Sequence, residues 1–191
     1  LDISKTGHVS QYLSDLKTCG FIRKDKTWNI KNGKPSIFSH YRLSDNYIRF
    51  YLKYIDKNTD KIELDHFDNE PLSTLPNYDG IMGLQFENLV LNNSKYIFEK
   101  LNIYLRDIVS DNPYFQRPQL RKKGCQIDYL IQMKFNVLYV CEIKFSRQEL
   151  KLDIIAEMKQ KVANISMPKG FSVMPVLIHV NGVSDAVVDE Q

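Results

Sequence analysis

A stripe of apolar residues at helical spacing is the first pattern along the chain, between positions 6 and 17. Polar side chains occupy the other faces, so the pattern predicts an amphipathic helix from Thr6 to Lys17. Ser4 is expected to cap the start of this helix, and Gly20 is expected to end it. The members of the stripe are Val9, Tyr12, Leu13 and Leu16.

Two extended stretches follow, and a turn-rich segment separates them. They run from Phe21 to Lys24 and from Ile37 to Leu43, and Asn32-Gly33 lies between them. An Asn-Gly pair between two extended stretches favours a hairpin turn. Ser44-Asp45 then begins an aromatic amphipathic helix. We therefore predict that residues 1–56 form a small unit of helix, hairpin and helix.

The pattern changes after this unit. Residues 57–80 are acidic, show little periodicity and contain two prolines, so they are interpreted as a connector. Residues 81–191 are expected to form a second domain with the order helix, three strands, helix, strand, in an α+β or α/β fold. The predicted elements are helices over 81–92, 94–107 and 149–165 and strands over 114–120, 125–133, 137–145 and 173–180.

Composition and charge restrict the class of protein. The 191 residues are 43% hydrophobic and 26% charged, which suits one or two folded domains, and no apolar run is long enough to span a membrane. Three cysteines without a CxxC spacing argue against a disulfide framework or structural zinc and favour a reducing, cytoplasmic setting. The net charge of +3 combines basic ends with an acidic middle, which is compatible with a polyanionic partner.

Two carboxylates are predicted to meet on neighbouring strands. A turn centred on Phe135 would pair the segments CQIDYLIQM and VLYVCEIKF so that Asp128 lies opposite Glu142. Cross-strand partners have Cβ atoms about 4.5–5.5 Å apart, and two carboxylates that close repel unless a positive group lies between them. Lys144, on the same face as Glu142, is one such group, and a divalent cation is another.

A third acid lies on the preceding predicted helix. Glu87 occupies the apolar stripe of the segment GLQFENLVL rather than its polar face. A buried carboxylate without a partner is costly, so Glu87 is expected to need a cation or a hydrogen-bonding network.

This arrangement, with Asp128 on one strand, Glu142-Ile143-Lys144 on the next and Glu87 on the helix before, resembles the PD-(D/E)XK nuclease-like core. The resemblance implies a restriction-endonuclease-like fold of order α-β-β-β-α-β that cleaves DNA with magnesium or manganese. Lys144 would stand beside the attacking water. The implied metal ligands are Asp128, Glu142, the Ile143 carbonyl and, in an outer or alternative position, Glu87.

A wider resemblance covers most of the chain. The segments GFIRKD, YRLSDNYIRFYLKYI, GLQFENLV, QIDYLI and VCEIKFS resemble the C-terminal portion of archaeal-type, AAA-like P-loop ATPases. Those proteins place an ATPase module first, a winged helix next and a nuclease-like region last. The resemblance implies that residues 1–56 are a partial winged helix and that an ATPase module precedes them in the same polypeptide. The absence of a starting methionine and of a GxxxxGK[ST] motif in these residues fits the expectation of a fragment.

Two functions of different classes remain open at this point. The first is a magnesium-dependent phosphodiesterase acting on DNA, and the second is a catalytically silent DNA- or protein-binding module that regulates the attached ATPase. The hairpin lysines are candidates for contacts with DNA phosphates, although a solvated surface or a protein dock would look the same. These lysines are Lys24, Lys26, Lys31 and Lys34. Trp28, in the same hairpin, is either a packing residue or a contact at the tip.

Overall fold

The computed structural model describes residues 7–68, 70–118 and 123–190. Backbone contacts divide the chain into two compact units, one with residues up to 25 together with 40–88, the other with 26–39 together with the residues from 89 onward. The hairpin tip is thereby grouped with the later part of the chain. The predicted domains, 1–56 and 81–191 with a connector at 57–80, stay a prediction.

The first unit begins with helix α1, Gly7–Thr18, which confirms the predicted helix. Gly20 ends it with a left-handed φ of +83°, and the Phe21 amide donates to the Leu16 carbonyl at 3.0 Å. This conformation suits glycine, which has no Cβ to clash. Ser4, the predicted cap, lies outside the described residues.

The two predicted extended stretches are strands of one small sheet, β1 (Ile22–Trp28) and β2 (Pro35–Leu43). The turn between them places Gly33 at a φ of +67°, and the Gly33 amide donates to the Asn29 carbonyl at 2.8 Å. The hairpin predicted from Asn32-Gly33 is therefore present. Its assignment to a winged helix stays a prediction.

The helix predicted after Ser44 begins as α2, Asn46–Phe50, and the Asp45 carboxylate accepts a hydrogen bond from the Ile48 amide at 2.7 Å. Helical turns continue through residues 51–58 into α3, Thr59–Glu63. The segment interpreted as a connector is therefore partly helical. The helix predicted over 81–92 is α4, Tyr78–Asn92.

The second unit contains a four-stranded sheet with the order β3-β4-β5-β6. The first three strands are antiparallel, and β6 is parallel to β5. The helices α5 (Ser94–Lys100) and α6 (Asp153–Asn164) complete the predicted α-β-β-β-α-β order, so the α+β fold class is confirmed, and a short α7 (Asp185–Asp189) follows. The strands are β3 (Ile108–Gln116), β4 (Cys125–Met133), β5 (Val137–Lys144) and β6 (Ser172–His179).

The start of β3 differs from the prediction. The strand begins at Ile108 rather than at 114, and the helix predicted over 94–107 ends at Lys100. The run Asp111-Asn112-Pro113 disfavours a strand by propensity. Because β3 is at the edge of the sheet, a proline is tolerated there.

Trp28 is a packing residue, which the sequence left open. Its side chain is buried with Ile30 in the same apolar core as Leu130 and Leu138 of the sheet. The indole Nε1–H donates to Oε1 of Gln132 at 2.5 Å, and Nε2 of Gln132 donates to the Ile30 carbonyl at 2.9 Å. Both the oxygen and the nitrogen of the buried amide thus bond to the hairpin tip.

Within the described ranges, no helix is long and apolar enough to cross a membrane. All three cysteines are free thiols. Cys141 is buried, and burial raises the pKa of its thiol to about 12. Cys19, which follows the last turn of α1, is exposed.

Candidate active site

The β4–β5 hairpin has the register that the sequence predicted. Phe135, at a φ of +61°, lies in the turn, and the pairs run from Met133 with Val137 to Tyr129 with Cys141. The turn is therefore centred on Phe135. Asp128 and Glu142 occupy the next position of this register, where the ladder of paired residues ends.

A register irregularity between β3 and β4 lies next to Asp128. Asn112 of β3 pairs with Leu130, whereas Tyr114 pairs with Ile127, so β4 carries one residue more than β3 here. Pro113 lies at this step and has no N–H to donate. Bulges of this kind bend a strand and redirect its side chains.

The Asp128 carboxylate takes the place of a backbone hydrogen-bond acceptor for strand β5. Its Oδ2 accepts a hydrogen bond from the Ile143 amide at 2.9 Å, just beyond the last backbone pair. This bond fixes the orientation of the carboxylate. The carbonyl of Ile143 is directed to the same side, because the N–H and C=O of one strand residue face the same neighbouring strand.

Glu142 is the buried centre of the site. It is only 2% exposed, and its carboxylate accepts from Nζ of Lys144 at 3.0 Å and from Nζ of Lys161. Burial raises the pKa of Glu142, and the neighbouring Asp128 raises it further, while the two lysines oppose the change. The net direction is upward, because burial together with the nearby Asp128 carboxylate outweighs the two lysines.

Two residues of α6 complete this site, and the sequence pattern did not single out either of them. Glu157 accepts from Nζ of Lys144 at 2.8 Å, and Lys161 lies one helical turn further along. A helix that connects the parallel strands β5 and β6 packs back onto the sheet, and α6 packs against β4 and β6. Charged residues four apart on this crossover helix were the available signal.

The pKa shifts of Lys144 and Glu157 agree with the ion pair between them. Burial lowers the pKa of Lys144, but its hydrogen bonds to Glu157 and Glu142 outweigh that effect and raise the pKa overall. Burial raises the pKa of Glu157, and the ammonium groups of Lys144 and Lys161 outweigh it in the opposite direction. Both groups are therefore held in their charged forms at neutral pH.

The Lys161 ammonium lies among all three acids. Its Nζ contacts Glu142 directly and is 3.6 Å from Oε1 of Glu157 and 3.9 Å from Oδ1 of Asp128. We call these five residues the carboxylate–lysine cluster. Its members are Asp128, Glu142, Lys144, Glu157 and Lys161, and their formal charges sum to −1.

The donor chemistry suits magnesium or manganese. Asp128, Glu142 and the Ile143 carbonyl offer only oxygen ligands, which hard divalent ions prefer. However, the Lys161 ammonium lies beside both carboxylates, bonded to Glu142 and 3.9 Å from Oδ1 of Asp128. Across the part of the chain that the structure describes, no group of three His, Cys, Asp or Glu residues is arranged to hold a metal ion. Binding of a divalent ion by these oxygens stays a prediction.

Glu87 belongs to the first unit, within α4. It is half-buried, and the Arg49 guanidinium is close to it. Burial lowers the pKa of Arg49, and the Glu87 carboxylate opposes that change. The carboxylate–lysine cluster is formed by residues of the second unit, and a metal role for Glu87 stays a prediction.

The hairpin lysines are all exposed. Lys24 and Lys26 share one face of β1, because the residues between and after them, Asp25 and Thr27, are buried. Nζ of Lys24 lies 5.2 Å from the centre of the Tyr41 ring. Such positions are accessible to a phosphate backbone, and contact with DNA stays a prediction.

Family models give no match to the chain. No curated protein matches it. Among solved structures, the chain is similar to the crystal structure of a repair endonuclease from Pyrococcus abyssi, with 20% identity and a TM-score of 0.36. The match covers 55% of this chain and 41% of that chain. At this level the likeness establishes neither a common fold nor a common activity.

Proposed function

We propose that the carboxylate–lysine cluster is the active site of a magnesium-dependent phosphodiesterase that acts on DNA. The meeting of Asp128 and Glu142 at the end of the β4–β5 ladder supports this most directly. A protein that only needed a stable sheet would gain little by burying Glu142 next to a second acid, because burial of paired charges seldom adds net stability. A site for a divalent ion uses both.

The residues of the chain take distinct roles in this reaction. When bound, a divalent ion would polarise the phosphate and lower the pKa of a bound water. Asp128, held by the Ile143 amide, and Glu142 would supply ligand oxygens with fixed orientations. Lys144 carries its ammonium beside Glu142, where it would orient the water and counter the charge that develops on the phosphate.

A second candidate is a catalytically silent module that binds DNA or protein and regulates an attached AAA-like ATPase. The observation in its favour is the pairing of Lys144 and Lys161 with the acids, because the cluster is nearly neutral without a metal. The upstream ATPase module itself rests on the resemblance of the sequence.

A titration with Mg²⁺ or Mn²⁺ distinguishes these candidates. The wild type is expected to melt at a higher temperature with the ion, because a ligand at tenfold its Kd adds about 1.4 kcal/mol of stability. Asp128→Asn is expected to show no such shift, and only the wild type is expected to cleave DNA. If the ion shifts neither protein and no DNA is cleaved, the silent module is the correct interpretation.

DNA binding by the hairpin is tested separately. Replacing the four exposed hairpin lysines (Lys24, Lys26, Lys31 and Lys34) with alanine is expected to weaken DNA binding with little dependence on sequence. Each lost phosphate contact reduces the slope of log K against log salt by about 0.9. Binding is measured by fluorescence anisotropy at several salt concentrations.

The matched control for this experiment replaces four exposed lysines of the helices with alanine, which changes the net charge equally. These are Lys57, Lys61, Lys95 and Lys100. An equal loss of affinity in both variants would mean that the hairpin lysines act only through the net charge of the protein. No loss of affinity in the hairpin variant would indicate that the hairpin binds a protein instead.

A further inference from the structure

We infer that Lys161 is an internal competitor of the divalent ion, so that metal binds to Asp128 and Glu142 only when the Lys161 ammonium moves away from them. This inference rests on the proposed function, because it presupposes a divalent ion at these two carboxylates. It assigns a role to a residue of α6 that the sequence pattern did not include among the ligands.

The position of the ammonium supports this inference. Nζ of Lys161 is bonded to Oε2 of Glu142 and lies 3.9 Å from Oδ1 of Asp128. A magnesium ion would need carboxylate oxygens at about 2.0–2.1 Å, so it would occupy nearly the same space. Two cations at that separation repel strongly in a partly buried site. Binding of the ion and this position of Lys161 therefore exclude each other.

Lys161 differs in this respect from the other lysine of the cluster. Lys144 is on the same strand as Glu142 and lies beside that carboxylate, with its other bond to Glu157. Lys161 reaches the pair of acids from a different element, α6, and is the lysine that lies within 4 Å of all three carboxylates. An ion can bind alongside Lys144, whereas it must displace Lys161.

The cluster also offers the displaced ammonium a second partner. Glu157 precedes Lys161 by four residues on α6, and its Oε1 is already 3.6 Å from the ammonium. The lysine side chain has four flexible carbons, so it can turn towards Glu157 without a change in the backbone. Glu157 is the most exposed of the three acids near Lys161, so this movement carries the ammonium towards solvent and opens the space between Asp128 and Glu142.

The test measures Mn²⁺ affinity of the full chain by calorimetry, in the wild type and in Lys161→Met. Methionine keeps a long side chain without the charge. We expect Lys161→Met to bind Mn²⁺ about tenfold more tightly, within the roughly 5- to 150-fold range typical of coupled sites. Lys159→Met is the control, because Lys159 lies on the same helix and its side chain is 73% exposed. Its Mn²⁺ affinity is expected to equal that of the wild type.

The outcomes separate this inference from the proposed function. If wild type and Lys161→Met bind Mn²⁺ equally, Lys161 is not a competitor, and the metal site itself stands. If neither protein binds Mn²⁺, both ideas are wrong. Without the ammonium, the repulsion between the Asp128 and Glu142 carboxylates is no longer offset by Lys161. The metal-free melting temperature of Lys161→Met is therefore expected to fall, and Mn²⁺ is expected to restore it. Should that variant not fold, Lys161→Gln carries the same expectation with a hydrogen-bond donor retained.

Glu157→Gln tests the second partner. Without this carboxylate, a displaced Lys161 ammonium has no second ion-pair partner on α6. Its displacement from Glu142 then costs more free energy, so Mn²⁺ binding is expected to weaken. The same change in the Lys161→Met background is expected to have a smaller effect, as a double-mutant cycle would show. An equal loss in both backgrounds would mean that Glu157 acts on the ion directly, which would overturn its assignment as the second partner.

Discussion

Glu142→Gln is expected to abolish binding of divalent ions and to lower the free energy of unfolding by about 2–3 kcal/mol. The variant leaves two ammonium groups without their shared buried partner, and breaking a buried ion pair costs about 3–5 kcal/mol. Partial exposure of Lys144 and Lys161 reduces that figure, because water solvates them. Urea denaturation with EDTA measures this change, and Glu149→Gln, at an exposed position, is the control.

Asp128→Asn is expected to abolish ion binding as well, yet to raise the metal-free stability, by about 1 kcal/mol. Burial is the main cause of the raised pKa of Glu142, and the substitution removes the repulsion by Asp128 that adds to it. The asparagine Oδ1 can still accept from the Ile143 amide. The contact that it loses with Lys161 is long, at 3.9 Å. A lower metal-free melting temperature, with no effect of Mg²⁺ on either protein, would make the cluster a purely structural one.

The second large effect is expected for Trp28→Ala, which should lower the free energy of unfolding by about 3–5 kcal/mol. Trp28 is 4% exposed and packs edge to face against Tyr114, with ring centres 5.4 Å apart. Its loss also leaves the buried Gln132 amide without a donor. Trp28→Phe keeps most of the packing and loses only the indole N–H, so an intermediate value is expected.

Ile37→Ala is the control for this measurement, since Ile37 is in the same hairpin and 92% exposed. Its effect is expected to stay within about 0.5 kcal/mol. If Trp28→Ala and Ile37→Ala have equal stability, the hairpin tip does not pack into the core of the second unit in solution.

The sequence predicted the central strands and the meeting of two acids because each depends on local rules. Alternation and apolar content fixed β4 and β5, and a turn at Phe135 fixed their register. From that register, the proximity of Asp128 and Glu142 follows without further knowledge of the fold. Cross-strand pairing is therefore the part of the site that one chain segment determines by itself.

The remaining parts depend on tertiary packing. The helix that carries Glu157 and Lys161 was predicted, but its rotation over the sheet is decided by the apolar side chains beneath it. The early start of β3 was hidden because Pro113 argues against a strand by propensity, and only the edge position permits it. Trp28 could not be assigned from local pattern, since its partners come much later in the chain.

The hydrogen bond between Trp28 and Gln132 joins residues that are 104 positions apart. Contacts this distant in sequence close a long loop, and the entropic cost of that closure slows folding. During synthesis the hairpin tip leaves the ribosome well before β4 and β5 are made. The Trp28 indole therefore stays exposed to solvent until those strands have been synthesised. A polypeptide that begins at the predicted boundary, residue 81, would lack Trp28 and Ile30, two side chains of its own core. Such a fragment is expected to express as an incompletely packed, aggregation-prone chain.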